Sequence, residues 1–245
     1  MGLFSSASGQ PFIWSGSQLT PDQIAALALG APYLADRPDP FDVLPPAGLA
    51  TGPDLASAWG LTDRDSALEV LRQLGGGLDD ATYRAAAPLV RLLGAGADPE
   101  KLHLDLLDQA EGDSEHREFL FRTALAWADA LRSKASTYLP RYLPDSIFAW
   151  DAARLVDLAR AAHSRGWLSA AEVWELLLPA RTKAAAQYPS WREFGIGFLV
   201  GRSFWAATRG EDDPIKATFD SFAPVVIRLQ KQSSSPWLKV TLQLN

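Results

Sequence analysis

From Phe148 to His163, Phe148, Ala152, Leu155, Val156, Ala159, Ala162 and His163 fall at i, i+4, i+7, i+8, i+11, i+14 and i+15. Successive helical residues are about 100° apart, so these positions share one face; a strand, with its alternating side chains, would scatter them. No window shows two-residue alternation until Leu238–Leu244 at the C-terminus, and one strand cannot make a sheet by itself. The expected fold is all-α: a single compact domain of about eight to ten helices with a C-terminal extended tail, either a short strand or a strap.

This helix opens an organising stretch, Phe148–Trp205, that holds five of the nine tryptophans: Trp150, Trp167, Trp174, Trp191 and Trp205. Asp151, Arg154, Asp157 and Arg160 form an i+3 ladder of alternating sign beside its apolar face. Gly166 ends it. Ser169 with Glu172 three residues on is a capping box for a second helix, in which Pro179 predicts a kink. Ser190 with Glu193 opens a third, carrying Phe194, Phe198, Gly201 and Trp205 on one face. Gly195, Gly197 and Gly201 each cost about 1 kcal/mol of helix propensity against alanine, a cost met if a backbone or a bulky tryptophan packs closely there.

Upstream, Thr20-Pro21 is an N-cap with proline at the first helical position, and that helix stops near Gly30. Six prolines between Ala31 and Pro53 predict an extended connector. Short helices follow from Asp54 to Gly60 and from Thr62 to Gly75-Gly76-Gly77, where the glycines read as a C-cap and turn, since no strand precedes them and no Gly-Lys-Ser/Thr follows. Further helices begin at Asp79-Asp80 and Asp98-Pro99, and a long one at Glu115 is expected to reach about Leu139. A last helix runs from Ile215 to about Gln232. The expected organisation is residues 1–53 as an N-terminal helix and Pro-rich connector, 54–237 as the helical domain and 238–245 as the tail.

Composition removes several kinds of chemistry. There is no cysteine, hence no disulfide, thiolate nucleophile or zinc ribbon. The three histidines, His103, His116 and His163, never take a metal-ligand spacing, so no metal and no cofactor are expected. Residues 1–120 carry a net −11 and residues 121–245 a net +5. The halves either gain from packing together, or the C-terminal surface takes an anionic ligand. A pI near 5.1 argues against nucleic-acid binding. The leader lacks a basic n-region, and the most apolar window, Ile24–Leu34, is too short for a span, so a soluble, cytoplasmic protein is expected, with no membrane partner.

Several spaced motifs carry a family resemblance. Trp59-Gly-Leu-Thr-Asp-Arg-Asp-Ser-Ala-Leu68, Trp150-Asp-x-x-Arg154, Gly166-Trp-Leu-Ser-x-x-Glu-x-Trp174, Ser190-Trp-x-Glu-Phe-Gly195, Gly201-Arg-x-x-Trp205 and Ser235-Pro-Trp237 follow one another in order. Over residues 55–237 the chain resembles a bacterial family catalogued as domain of unknown function 1266, a likeness that implies no activity, cofactor or substrate. Trp167 departs from the family's pattern, where tyrosine follows the glycine, so a catalytic tyrosine there is not implied.

Asp151, Arg154, Glu172, Glu193 and Arg202 are the candidates for chemistry, with Trp150, Trp174 and Trp191 beside them. Glu172 and Glu193 have a sufficient role as capping acceptors. Arg202 lies between Gly201 and Trp205, so its stem nears the core and its guanidinium needs a partner, for which Asp151 is the expected carboxylate. The alternative is an anion or substrate pocket walled by tryptophans. Two functions follow. One is a non-enzymatic binding or adaptor protein for a protein partner or a small anionic ligand. The other is a hydrolase with Asp151, Glu172 or Glu193 as acid or base and Arg154 or Arg202 as anion clamp.

Overall fold

The computed structural model describes residues 11–35, 37–48, 52–108, 114–208 and 213–244. Its helices are α1 Pro21–Ala28, α2 Ala31–Leu34, α3 Leu55–Trp59, α4 Arg64–Gly76, α5 Asp80–Gly94, α6 Pro99–Asp108, α7 Ser114–Ser133, α8 Phe148–Ser164, α9 Ala170–Gln187, α10 Trp191–Thr208, α11 Pro214–Lys231 and α12 Pro236–Lys239. Ten have five residues or more, two are single turns, and there is no strand among the described residues. The all-α expectation holds.

α8 is the axis. It packs against α2, α3, α4, α9 and α10, and every residue from Phe148 to Ser164 except His163 is buried. Six alanines let the neighbouring helices approach closely, while Phe148, Leu155, Val156 and Leu158 fill the space between them at roughly 1.5–3 kcal/mol of transfer free energy each. The glycines of α10 behave as their cost required. A Cβ on Gly201 would lie 2.4 Å from Trp150 Cβ and 3.1 Å from Ile147 Cβ, so α10 touches α8 almost backbone to backbone. At Gly197 the obstacle is the Tyr188 ring, 2.8 Å away, and at Gly195 it is Val226 Cγ1 at 2.7 Å.

Caps set the ends. Thr20 and Gln23 make a capping box, as do Ser169 and Glu172. Gly77, at φ 94°, closes α4 as the C-cap that the three glycines announced. Ser190 and Glu193 bond side chain to side chain, and Ser190 Oγ accepts from Arg192 N at 3.0 Å.

Three expectations needed correction. Ala31–Leu34 is a helical turn rather than extended, because Pro32 stands where a helix tolerates proline, in the first turn. α7 ends at Ser133, short of Leu139: Lys134 adopts φ 53° and Ala135 N turns back to the Ala130 carbonyl, so the chain leaves the helix before Pro140 can act. The tail begins with the turn α12 and then runs as a strap, with Val240 O accepting from Trp191 Nε1 at 2.8 Å and Gln243 Nε2 donating to Tyr188 O at 2.7 Å.

The two ends of the described chain meet. Trp14 Nε1 donates to Ser234 O at 2.7 Å, and Trp237 Nε1 to Ala28 O at 2.8 Å, with the Trp237 ring stacked on Trp191 at 5.4 Å between centroids.

Candidate functional site

The i+3 ladder of α8 is buried, and its members look outward to different elements. Arg37 clasps Asp157 through two hydrogen bonds of 2.5 and 3.0 Å. Arg160 donates to the carbonyls of Pro40, Phe41 and Val43, and burial lowers its pKa to about 10. These two pairs tie the Pro-rich segment onto α8, which satisfies charges that would otherwise cost several kcal/mol each.

At the N-terminal end of α8 the ladder becomes a site. Asp151 has no solvent exposure and accepts from Asp79 N at 3.2 Å and Asp80 N at 3.3 Å, so it caps the N-terminus of α5 from outside that helix. Arg154 Nη2 donates to Asp151 and, at 2.6 Å, to Asp79 Oδ2, which also accepts from Trp150 Nε1 at 3.2 Å. One guanidinium thus serves two carboxylates. Among the described residues its Nε, though buried, has no hydrogen-bond partner. Burial pushes the Asp151 carboxyl up to about 7, opposed by the charge of Arg154 and reinforced by Asp79.

That shift has a pH consequence. An unfolded Asp151 releases its proton near its ordinary value of 3.8, whereas the folded one holds it until about 7. The protonated group therefore stabilises the fold fully below about 3.8, and this contribution is lost as pH rises through 7. In urea unfolding, the stability of wild type relative to Asp151→Asn should fall between pH 4 and 7, by at most about 1.4 kcal/mol per pH unit. A pH-independent difference would remove Asp151 as the titrating group.

Above this cluster opens a cavity of about 510 Å³, lined by Tyr33, Ala58, Trp59, Leu78, Asp79, Trp150, Arg154, Arg202, Trp205 and Phe222. Arg154 Cζ stands 4.6 Å from the Trp150 ring centroid and 5.5 Å from that of Trp59. Arg202 Cζ stands 4.8 Å from Trp205, 5.5 Å from Phe222 and 5.6 Å from Trp150. Trp150 is therefore shared by two cations, each drawn to its π-face. The expected pair of Arg202 with Asp151 does not form: Arg154, one helical turn away, takes that carboxylate, and Arg202 lies among rings. Among the described residues no hydrogen bond or ion pair reaches Arg202, and its buried Nη1 is unpartnered. Burial holds the Tyr33 phenol far above its ordinary pKa, so it lines the cavity as a neutral hydroxyl.

Of the eight residues singled out in the sequence, Trp150, Arg154 and Arg202 line the cavity and Asp151 lies buried beneath it, held by Arg154. The other four are elsewhere. Glu172 caps α9 and pairs with Arg64 at 2.6 Å; its bonds from Ser169 and Arg64 lower its pKa to about 2. Glu193 is bonded to Ser190, Trp174 packs half-buried at the core's edge, and Trp191 stacks on Trp237. Sequence reading missed Tyr33, Asp79 and Phe222 as site residues. Trp59 was quoted only as part of a motif, and its place there was the one signal pointing to the cavity. His163 is satisfied, with Nδ1 2.7 Å from Leu168 O.

Three other hollows surround residues 138–146, and the arginines lining them, Arg91, Arg132, Arg141 and Arg192, are exposed. Among the described residues there is no cluster of three or more metal-ligating side chains, and no helix long and apolar enough to cross a membrane.

A family model described as "Protein of unknown function (DUF1266)" matches residues 54–242. Two uncharacterized proteins of Escherichia coli (strain K12) are similar to the chain. YbeU is 24% identical over 160 residues, covering 65% of this chain and 60% of the relative. YbeR is 24% identical over 166 residues, covering 68% and 63%. The chain thus spans under two thirds of these relatives' length. No solved structure matches it.

Proposed function

We propose a non-enzymatic binding function for this chain, which belongs to the DUF1266 family: the aromatic cavity between α2, α3, α8, α10 and α11 takes up a small organic anion. The observation that carries this reading is Arg202, a cation held against three aromatic rings at the wall of the cavity and met by no hydrogen bond or ion pair among the described residues. A guanidinium without an acceptor can donate a charge-assisted hydrogen bond to a ligand anion, roughly twice as strong as a neutral one.

The hydrolytic alternative has less support. Asp151 has no exposed surface and Glu172 and Glu193 sit on other faces, so the carboxylates do not converge on one substrate atom. Asp79 alone borders the cavity, and its Oδ2 is occupied by Trp150 and Arg154.

The test is a thermal-shift screen of organic anions, with hits followed by tryptophan fluorescence titration. Hits should raise the melting temperature and alter emission, since Trp59, Trp150 and Trp205 all line the site. Arg202→Gln and Trp59→Leu should each weaken binding about tenfold or more, with the unliganded melting temperature within a few degrees of wild type. Hits that bind both variants as tightly as wild type would place the ligand elsewhere. Turnover of a bound compound, abolished in Asp79→Asn, would replace binding by hydrolysis.

A further inference from the structure

We infer that the cavity selects flat organic monoanions, aromatic carboxylates of about two fused rings, over their neutral amides and over the corresponding phosphate esters. The inference rests on the binding reading of the same cavity and names its ligand class.

Size and shape come first. A cavity of about 510 Å³ lies within the roughly 300–1,000 Å³ range of small-molecule sites and exceeds what a lone inorganic anion fills. Trp59, Trp205, Tyr33 and Phe222 line it with ring surface, which favours a planar ligand able to stack or meet edges.

Charge decides the class. Arg154 is already engaged by Asp79 and Asp151, so its charge is offset within the chain. Arg202 meets no carboxylate among the described residues and supplies the one uncompensated positive charge at the wall. The Trp205 and Phe222 rings, 4.8 and 5.5 Å from Cζ, flank the guanidinium, whose planar fork of donors matches a carboxylate bidentately. A single negative charge balances Arg202. A phosphomonoester brings roughly −1.5 to −2 at neutral pH, and the excess faces Asp79, whose side chain is 25% exposed at the same cavity. The Tyr33 hydroxyl, without a hydrogen-bond partner among the described residues, is available as a further donor.

Isothermal titration of the full chain with 2-naphthoate, 2-naphthamide, 2-naphthyl phosphate and hexanoate separates the possibilities. Naphthoate should bind at least about tenfold tighter than each of the other three: the amide lacks the charge-assisted pair, the phosphate brings excess charge against Asp79, and hexanoate lacks the ring surface. Arg202→Gln should bring naphthoate down to the level of the amide, and Arg202→Lys should fall between, keeping charge but losing the fork. The acid–amide comparison on wild type needs no variant to fold. Amide or phosphate binding as tightly as the acid, with loss of binding in Trp59→Leu, overturns the ligand class and leaves the cavity reading standing. Failure of all four probes, together with hits from the wider screen that ignore Arg202→Gln and Trp59→Leu, overturns both.

Discussion

At pH 8, above the Asp151 pKa of about 7, Arg154→Met should destabilise the protein by about 3–5 kcal/mol, the cost of stranding a buried carboxylate whose partner is removed. The methionine keeps most of the stem against Trp59 and Trp150, so lost packing adds little. What remains is Asp151, wholly buried with only the amides of Asp79 and Asp80 to hold it, and Asp79 bonded to Trp150 alone. Adding Asp151→Asn to Arg154→Met should recover part of the loss, because the stranded charge is gone. Arg202→Gln removes cation–π contacts and no ion pair, and should cost about 1 kcal/mol. Urea unfolding of these variants checks the order. Strictly additive effects at 151 and 154, or a larger loss at Arg202 than at Arg154, would contradict the geometry.

Gly201→Val should cost at least about 3 kcal/mol, although valine is the better helix former. A Cβ there meets Trp150 Cβ at 2.4 Å and Ile147 Cβ at 3.1 Å. Those atoms sit next to backbone and cannot rotate away, so α10 must move off α8 to make room. The same displacement pulls Arg202 and Trp205 from Trp150. Gly201→Val is therefore expected to lose ligand binding as well as thermal stability, whereas Gly76→Ala, where an added Cβ meets nothing within 4 Å, should leave both unchanged. A Gly201→Val protein as stable as wild type would show that the two helices are not so closely held.

The helices were legible because their signals are local. Caps at Thr20 and Ser169, the glycine stop at Gly77 and the 3.6-residue spacing of Phe148–His163 all act within a few turns. The glycines of α10 were legible too, as a propensity cost that only close packing explains. The charged ladder of α8 was not. Beside an apolar stripe it reads as a flank, and its burial depends on Arg37, Asp79 and the Phe41 carbonyl, which lie roughly 70 to 120 residues away. Arg202 was assigned the wrong partner for a related reason: a burial argument says that a guanidinium needs company, but not whether a carboxylate or a set of rings provides it. The cavity draws Tyr33, Trp59, Asp79 and Phe222 from four separate segments, and no spacing announces such a convergence.

The latch of Trp237 on Ala28 has a consequence for synthesis on the ribosome. Ala25, Ala26, Leu27 and Ala28 are at most 1% exposed, and their cover comes from α9 and from residues around Trp237, 209 positions after Ala28. At about 5–20 residues per second, α1 leaves the ribosome on the order of ten seconds or more before Trp237 is made. Until α9 follows, its apolar face has no native surface to bury against, and the cover stays incomplete until Trp237 arrives. The nascent chain is then a natural client for a holding chaperone, and release from it should await the arrival of Ser234–Trp237.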